Sequence, residues 1–295
     1  MSGAWEAQEV RAFLAARRPD FRVTGIEKLA GGYWNDVLRL DSDQGPLVLK
    51  HYRAVMPGTL FPNLPDHEAL ALTRLQGLHV APDPLGYWPE DRVLVYAYVE
   101  GRAWAGDIAS VAALLRRKAG AGATGFRAVP VEPAVILAEG EALFARCEED
   151  PLTRRLLGLR PDPAPPPARG WCQQRQLCHT DIGAANMIGT GPGLRLIDWQ
   201  CPAAGDPAED VYTFLSPAFQ ILNLHPTLAE ADRARFLTLM EDADLAARYP
   251  LLEPAYAWRM AGYCCVRMQS AETAEIRARY VRAAEAEADL IESLR

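Results

Sequence analysis

Apolar positions along this chain recur with two different periods. Over residues 4–18, Trp5, Val10, Phe13 and Leu14 fall at helical spacing, which predicts a short amphipathic helix ending near Pro19. Three strand-like runs follow at 21–29, 33–41 and 46–52, divided by Gly31 and Gly32 and then by residues 42–45. That punctuation predicts an antiparallel meander. Leu70, Leu72, Leu75 and Leu78 restore a helical pattern over 64–78, with Asp66 and Glu68 near its start, where negative charge suits the helix dipole. Two further strands are predicted at 83–88 and 92–99, joined by a turn at 89–91.

Beyond Gly101 the pattern becomes helical. Helices are predicted over 107–119 and 133–148, on either side of the Gly- and Ala-rich stretch 120–125. Five prolines within 160–170 exclude regular helix or central strand and predict an exposed loop. A helix follows over 211–222, and Thr227 with Glu230 has the spacing of a capping box for a helix running to Met240. Two more helices are expected over 251–269 and 272–294, the last with Ile276, Tyr280, Ala284 and Ile291 as its inner stripe. The expected class is α+β: a small antiparallel β-sheet domain with one main helix, residues 1–99, and a larger, mostly helical domain, residues 100–295. No internal repeat is visible.

Composition narrows the function classes. The chain has 295 residues, with 49% hydrophobic and 23% charged side chains, as ordinary globular proteins do. No apolar run approaches a membrane span and the first residues lack a signal-peptide core, so a soluble, cytoplasmic protein without a membrane partner is expected. Six cysteines without a C-x-x-C pair point to reduced thiols rather than a disulfide framework or a zinc site. A net charge of −7 argues against nucleic acid as a partner and fits a cationic small substrate. Of 31 basic residues only Lys28, Lys50 and Lys118 are lysines. A lysine in the apolar segment 47–50 of so Arg-rich a chain marks a place that needs an ammonium group.

The stretch 178–200 carries the densest chemistry. Asp181 lies two residues after His179 and five before Asn186, and Asp198 ends the apolar run 194–197. With 5 His, 18 Asp and 4 Asn in the chain, chance supplies His-x-Asp-x-x-x-x-Asn roughly 0.004 times. A loop followed by a hairpin would bring the three functional groups to one point. The Asp181 carboxylate can accept a hydroxyl proton, while the Asn186 amide oxygen and the Asp198 carboxylate are hard oxygen ligands of the type magnesium takes.

Other residues fit around that stretch. The turn at Gly31 and Gly32 would let backbone N–H groups approach phosphates closely, although a tight hairpin turn accounts for the same pair. Lys50 on a returning third strand would set its ammonium at the α- and β-phosphates, with Glu68 as its counterion or as an ordinary first-turn acid. The extended linker at Tyr98 and Val99, before Glu100 and Gly101, could hydrogen-bond an adenine through its backbone. His179 is expected to brace the loop, and Asp206 and Asp210 to accept backbone N–H bonds that stiffen it. Tyr256, Trp258 and Tyr263 are either part of a cage for a cationic amine or helix-packing residues.

With these residues assembled, the chain resembles the aminoglycoside phosphotransferase and choline kinase superfamily, small-molecule relatives of protein kinases. The likeness runs from Gly31, Gly32 and Asn35 through Lys50, Glu68 and the linker at Tyr98 and Val99. It continues through His179, Asp181, Asn186, Asp198 and the Gly205–Asp206–Pro207-x-x-Asp210 segment. The resemblance implies a two-lobed, protein-kinase-like fold, with ATP in the cleft and substrate specificity beyond about residue 205. Lys50 then contacts phosphate, Asp181 is the catalytic base, and Asn186 and Asp198 bind magnesium. Gln200 departs from the acidic residue that relatives often carry there. The expected activity is an ATP- and magnesium-dependent transfer of the γ-phosphoryl group to a hydroxyl of a small molecule: an amino alcohol, an aminoglycoside-like compound or a sugar-like compound. The alternative is a catalytically silent, pseudokinase-like nucleotide sensor or partner module. Only seven residues separate Asp198 from Asp206, which leaves no activation segment for a protein-directed kinase.

Overall fold

The computed structural model of the chain describes residues 5–29, 35–56 and 59–295. The chain divides into two compact units, one formed by Met1–Arg102 with Ile188–Pro202 and the other by Ala103–Met187 with Ala203–Arg295. A division by composition at residue 100 leaves 188–202 in the helical part. Here that segment adds to the first unit. The cause is local bonding: the Leu196 N–H donates to the Val80 carbonyl at 2.8 Å and the Leu64 N–H to the Gln200 carbonyl at 2.9 Å.

In the first unit, strands β1 (Val23–Lys28), β2 (Asn35–Ser42), β3 (Gly45–Tyr52), β4 (Pro84–Trp88) and β5 (Val93–Ala97) form one sheet. Its order is β1-β2-β3-β5-β4, antiparallel throughout, which is the expected meander with its last hairpin folded back beside β3. Leu38 and Leu40 of β2 alternate inward and pack under Val10 and Leu14 of helix α1 (Ala7–Arg17), with Leu47, Leu49, Val93 and Val95 completing the cluster. β3 is buried on both faces, because α1 covers one and the other carries Lys50. Helix α2 (Pro65–Leu75) opens on a proline, whose missing N–H costs nothing there, and ends before Gly77 at φ +82°. After the short β6 (Arg102–Ala103), the hairpin of β9 (Met187–Thr190) and β10 (Gly193–Leu196) is closed by a bond from the Thr190 hydroxyl to the Gly193 carbonyl at 2.6 Å.

The second unit is helical around α9 (Ala243–Gln269), which packs between α4 (Pro133–Phe144) and α10 (Ala274–Ser293). A Cβ at Gly140 of α4 would lie 2.7 Å from the Trp258 ring, so glycine is what lets α4 approach α9. The periodicity places the start of α9 at 251; it begins eight residues earlier and contains Pro250 and Pro254. Asp242 caps it by accepting the Leu245 N–H at 2.9 Å, and burial of Leu245, Tyr249, Leu252 and Tyr256 offsets the hydrogen bonds the prolines remove. Around it lie α3 (Ile108–Lys118), α5 (Pro151–Gly158), which the sequence pattern did not reveal, and a small sheet. That sheet has the order β7-β11-β8, from β7 (Arg127–Ala128), β11 (Ala203–Gly205) and β8 (Gln176–Cys178).

Two expectations are corrected here. The helix predicted over 211–222 is two helices, α6 (Ala208–Leu215) and α7 (Pro217–Leu222), because Pro217 holds Ser216 in an extended conformation. The capping box at Thr227 is not formed. Helix α8 (Glu230–Leu239) starts from Ala229 with no side-chain cap, two residues beyond where a Thr227 hydroxyl would serve it. Among the described residues no helix is long and apolar enough to cross a membrane.

One buried acid in this unit makes stability pH-dependent. Glu287 of α10 is fully buried and accepts hydrogen bonds from the Ser216 hydroxyl and, at 3.2 Å, from the Ala218 N–H. Burial lifts its pKa from 4.5 to about 7, against the smaller pull of those donors. Between these two values the folded chain holds a proton that the unfolded chain has lost, so this contribution is full below 4.5 and fades as pH rises to about 7. Glu287→Gln removes the charging step. Its Tm is expected to exceed that of the parent by on the order of 5 °C at pH 8, with no gain at pH 4.5. Thermal scans at the two pH values check this, and an equal shift at both would remove the linkage.

Candidate active site

The first unit assembles three of the residues singled out by sequence. β3 alternation sends Leu47 and Leu49 toward α1 and turns Lys50 to the opposite face. There its ammonium donates to Glu68 of α2 at 2.7 Å and to Asp198, just past β10, at 2.5 Å. Lys50 and Glu68 are 2% and 1% exposed, whereas Asp198 is 37% exposed, so the ion pair is sealed at one end and open at the other. Burial works against the charge of Lys50, but Asp198 and Glu68 outweigh it and hold the ammonium protonated above its ordinary range. The Tyr52 hydroxyl donates a further 2.6 Å bond to Glu68, fixing the carboxylate from behind. Asp198 sits at φ +62°, a left-handed conformation that a residue with a side chain seldom adopts.

A set of side-chain amides steadies the segment after Asp198. Asn35 Nδ2 donates to Gln200 Oε1 at 3.1 Å and to Asn63 Oδ1 at 3.2 Å, and Asn63 Nδ2 returns to Asn35 Oδ1 at 2.8 Å. Gln200, the departure noted in the sequence, is thus an uncharged acceptor for the Asn35 amide. Gly31 and Gly32 lie outside the described residues. Tyr98 and Val99 border a cavity of about 450 Å³ with Phe21, Leu47 and Leu85, residues of the α1 side of the sheet. The Tyr98 N–H donates to the Pro46 carbonyl at 3.0 Å, which ties the linker to the start of β3.

The second unit assembles the rest. Asn186 closes the turn that begins at Asp181: its Nδ2 donates to the Asp181 carbonyl at 3.0 Å and to Asp181 Oδ2 at 3.3 Å. This orients its amide nitrogen toward Asp181 and its Oδ1 away. His179 is fully buried, and its Nδ1 accepts the Asp181 N–H at 3.2 Å, so it braces the loop from inside. Asp210 of α6 accepts the His179 and Thr180 N–H groups at 3.1 and 2.8 Å, as expected. Asp206 instead binds Arg248 in a two-bond pair at 2.9 and 3.1 Å and accepts the Ala208 N–H, so it stiffens α6 and α9 rather than the loop.

Lys118 was visible in sequence only as one of three lysines. In the structure its ammonium is buried, 3.0 Å from Asp210 and 2.5 Å from the Leu177 carbonyl, and it locks the strand before the loop to the acid beneath it. The proposed aromatic cage does not form from Tyr256 and Trp258. Both are buried packing residues, on Tyr212 at 5.2 Å and Phe144 at 4.7 Å between ring centres. Tyr263 packs edge-on to Tyr280.

Each unit carries one of the oxygen donors expected for magnesium, Asp198 in the first and Asn186 in the second. Lys50 engages one oxygen of Asp198 and leaves the side chain partly exposed, and the Asn186 Oδ1 is turned out of its own turn. Among the described residues no three His, Cys, Asp or Glu side chains cluster as a protein cage. Magnesium needs none: it takes one or two protein oxygens and completes its shell with water and phosphate.

The description of the phosphotransferase enzyme family, abbreviated APH, matches residues 25–251. No curated protein matches the chain by sequence. Among solved structures, the fold is similar to a choline/ethanolamine kinase family protein from Mesorhizobium loti, 19% identical, covering 97% of this chain and 94% of that one with a TM-score of 0.64. It is similar also to a putative aminoglycoside phosphotransferase from Ralstonia eutropha JMP134, 14% identical, covering 98% of each chain with a TM-score of 0.68. A third similar structure, spectinomycin phosphotransferase in complex with ADP and spectinomycin, is 13% identical and covers 99% of each chain with a TM-score of 0.60. At such identities the likeness concerns the fold.

Proposed function

We propose, for a chain that belongs to the phosphotransferase enzyme family, that it transfers the γ-phosphoryl group of ATP to a hydroxyl of a small molecule. The observation that carries this reading is the sealed Lys50–Glu68 pair opening onto Asp198, an arrangement that presents one ammonium and one carboxylate at fixed positions. The ADP held by the solved spectinomycin phosphotransferase supports use of an adenine nucleotide.

In this reading Lys50 binds the α- and β-phosphates, with Glu68 and Tyr52 setting its direction. The backbone at Gly31 and Gly32 approaches the phosphates, and the backbone at Tyr98 and Val99 holds the adenine. Asp198 and Asn186 hold magnesium, which when bound neutralises charge on the phosphates. Asp181 aims the acceptor hydroxyl and takes its proton, while His179 and Asp210 keep the Asp181 backbone from moving. The acceptor class is an amino alcohol, an aminoglycoside-like compound or a sugar-like compound, and the net charge of −7 favours a cationic one.

An ATP-consumption screen against hydroxylated metabolites and antibiotics, with magnesium and with Asp181→Ala as control, tests the reading. At least one acceptor is expected to give magnesium-dependent turnover that the variant lacks. Nucleotide binding with no turnover on any acceptor would favour a silent sensor instead.

A further inference from the structure

We propose that Asn223 is a positioning residue for the turn that carries Asp181 and Asn186, and that Gly183 exists to make room for it. The proposal rests on the phosphotransfer reading above and adds a residue that no spacing in the sequence marks.

The turn is closed by bonds among its own members. The Gly183 N–H donates to the Asp181 carbonyl at 3.0 Å and the Asn186 N–H to the Gly183 carbonyl at 2.9 Å. With the Asn186 side chain these fix the turn's internal shape, but they do not anchor its middle. Asn223 does. Following α7, it accepts the Ala185 N–H on Oδ1 at 3.2 Å and donates from Nδ2 to the Phe219 carbonyl at 2.9 Å. One amide thus joins the end of a helix to the centre of the turn. Its two bonds need opposite ends of the amide, so its orientation is set.

Gly183 supplies independent support. Its φ of −97° and ψ of 159° are open to any residue, so backbone freedom is not why glycine stands there. The reason is space. A Cβ at 183 would lie 2.4 Å from both Oδ1 and Nδ2 of Asn223 and 2.6 Å from its Cγ. Any larger residue at 183 displaces the Asn223 amide and breaks both bonds.

Two readouts test this. With an acceptor that the parent enzyme turns over, Asn223→Ala and Gly183→Ala are each expected to lower kcat by about 10–100-fold, with the KM for ATP within about twofold. Combining them should cost no more than the larger single loss, because both remove the same clamp. Independently of turnover, Asn223→Ala should speed amide hydrogen exchange at Ala185 by at least about tenfold, with exchange in α9 unchanged. Parent-like kcat, losses that multiply in the double variant, or an unchanged Ala185 amide would each overturn the proposal. If the parent turns over no acceptor, the phosphotransfer reading fails, and the exchange experiment still decides whether the clamp exists.

Discussion

Asp181→Asn is expected to lower kcat by about 10²–10⁴-fold, the usual worth of a positioned general base, while ATP binds within about twofold of the parent affinity. The substitution is nearly isosteric. An amide keeps an acceptor for the Asn186 Nδ2, and the stronger 3.0 Å bond from that nitrogen goes to the Asp181 backbone carbonyl, which is untouched. The His179 brace on the Asp181 N–H also survives. What disappears is the capacity to receive a proton from the attacking hydroxyl. Steady-state kinetics, together with ATP titration and a thermal scan, separate this loss from misfolding. A variant retaining more than about a tenth of parent kcat would remove Asp181 from the role of base.

Lys50→Met is expected to abolish detectable ATP binding and to destabilise the first unit by about 3–5 kcal/mol, because one half of a buried ion pair remains without the other. Burial already raises the Glu68 pKa, with Lys50 as the chief opposing influence, so the lone carboxyl would take up a proton or force the site open. The Tyr52 hydroxyl is the bond that would remain to it in this pocket. Stability and function separate in the double variant Lys50→Met/Glu68→Leu. Two apolar residues of similar volume are expected to restore most of the lost Tm, since replacing a whole buried pair is often neutral, while ATP binding stays absent. Calorimetry and ATP titration in magnesium give both values. A double variant that binds ATP like the parent would dismiss Lys50 as a phosphate contact.

Much of this was legible in the sequence wherever the signal is local. The Val10–Leu14 spacing reports which face of the first helix is buried, and the structure packs that face on Leu38 and Leu40 of β2. The spacing of Asp181 and Asn186 was legible because a five-residue turn leaves the two side chains few places to go. Lys50 stood out because an Arg-rich chain had spent a lysine in an apolar strand. The remainder depends on partners distant in sequence. Asn223 has no local signature, since its value lies in a gap left by a glycine forty residues earlier. The same holds for Asn63, an ordinary amide until the fold brings it to Asn35. Two local rules misled. Pro250 stands just before the predicted start at 251 but lies inside α9, where burial outweighs the lost bonds. Thr227 and Glu230 have the spacing of a cap, but the helix starts at Glu230 itself.

That the first unit is drawn from two separated stretches bears on how the protein is made. Lys50 must wait for Asp198, 148 residues further along, which at a translation rate of 5–20 residues per second is an interval of about 7–30 s. The ribosome therefore delivers a sheet whose ammonium has one counterion and whose second is still unwritten. A shortened gene ending at Arg102 would freeze that nascent condition. Grafting 188–202 onto its end through a short connector is the minimal repair.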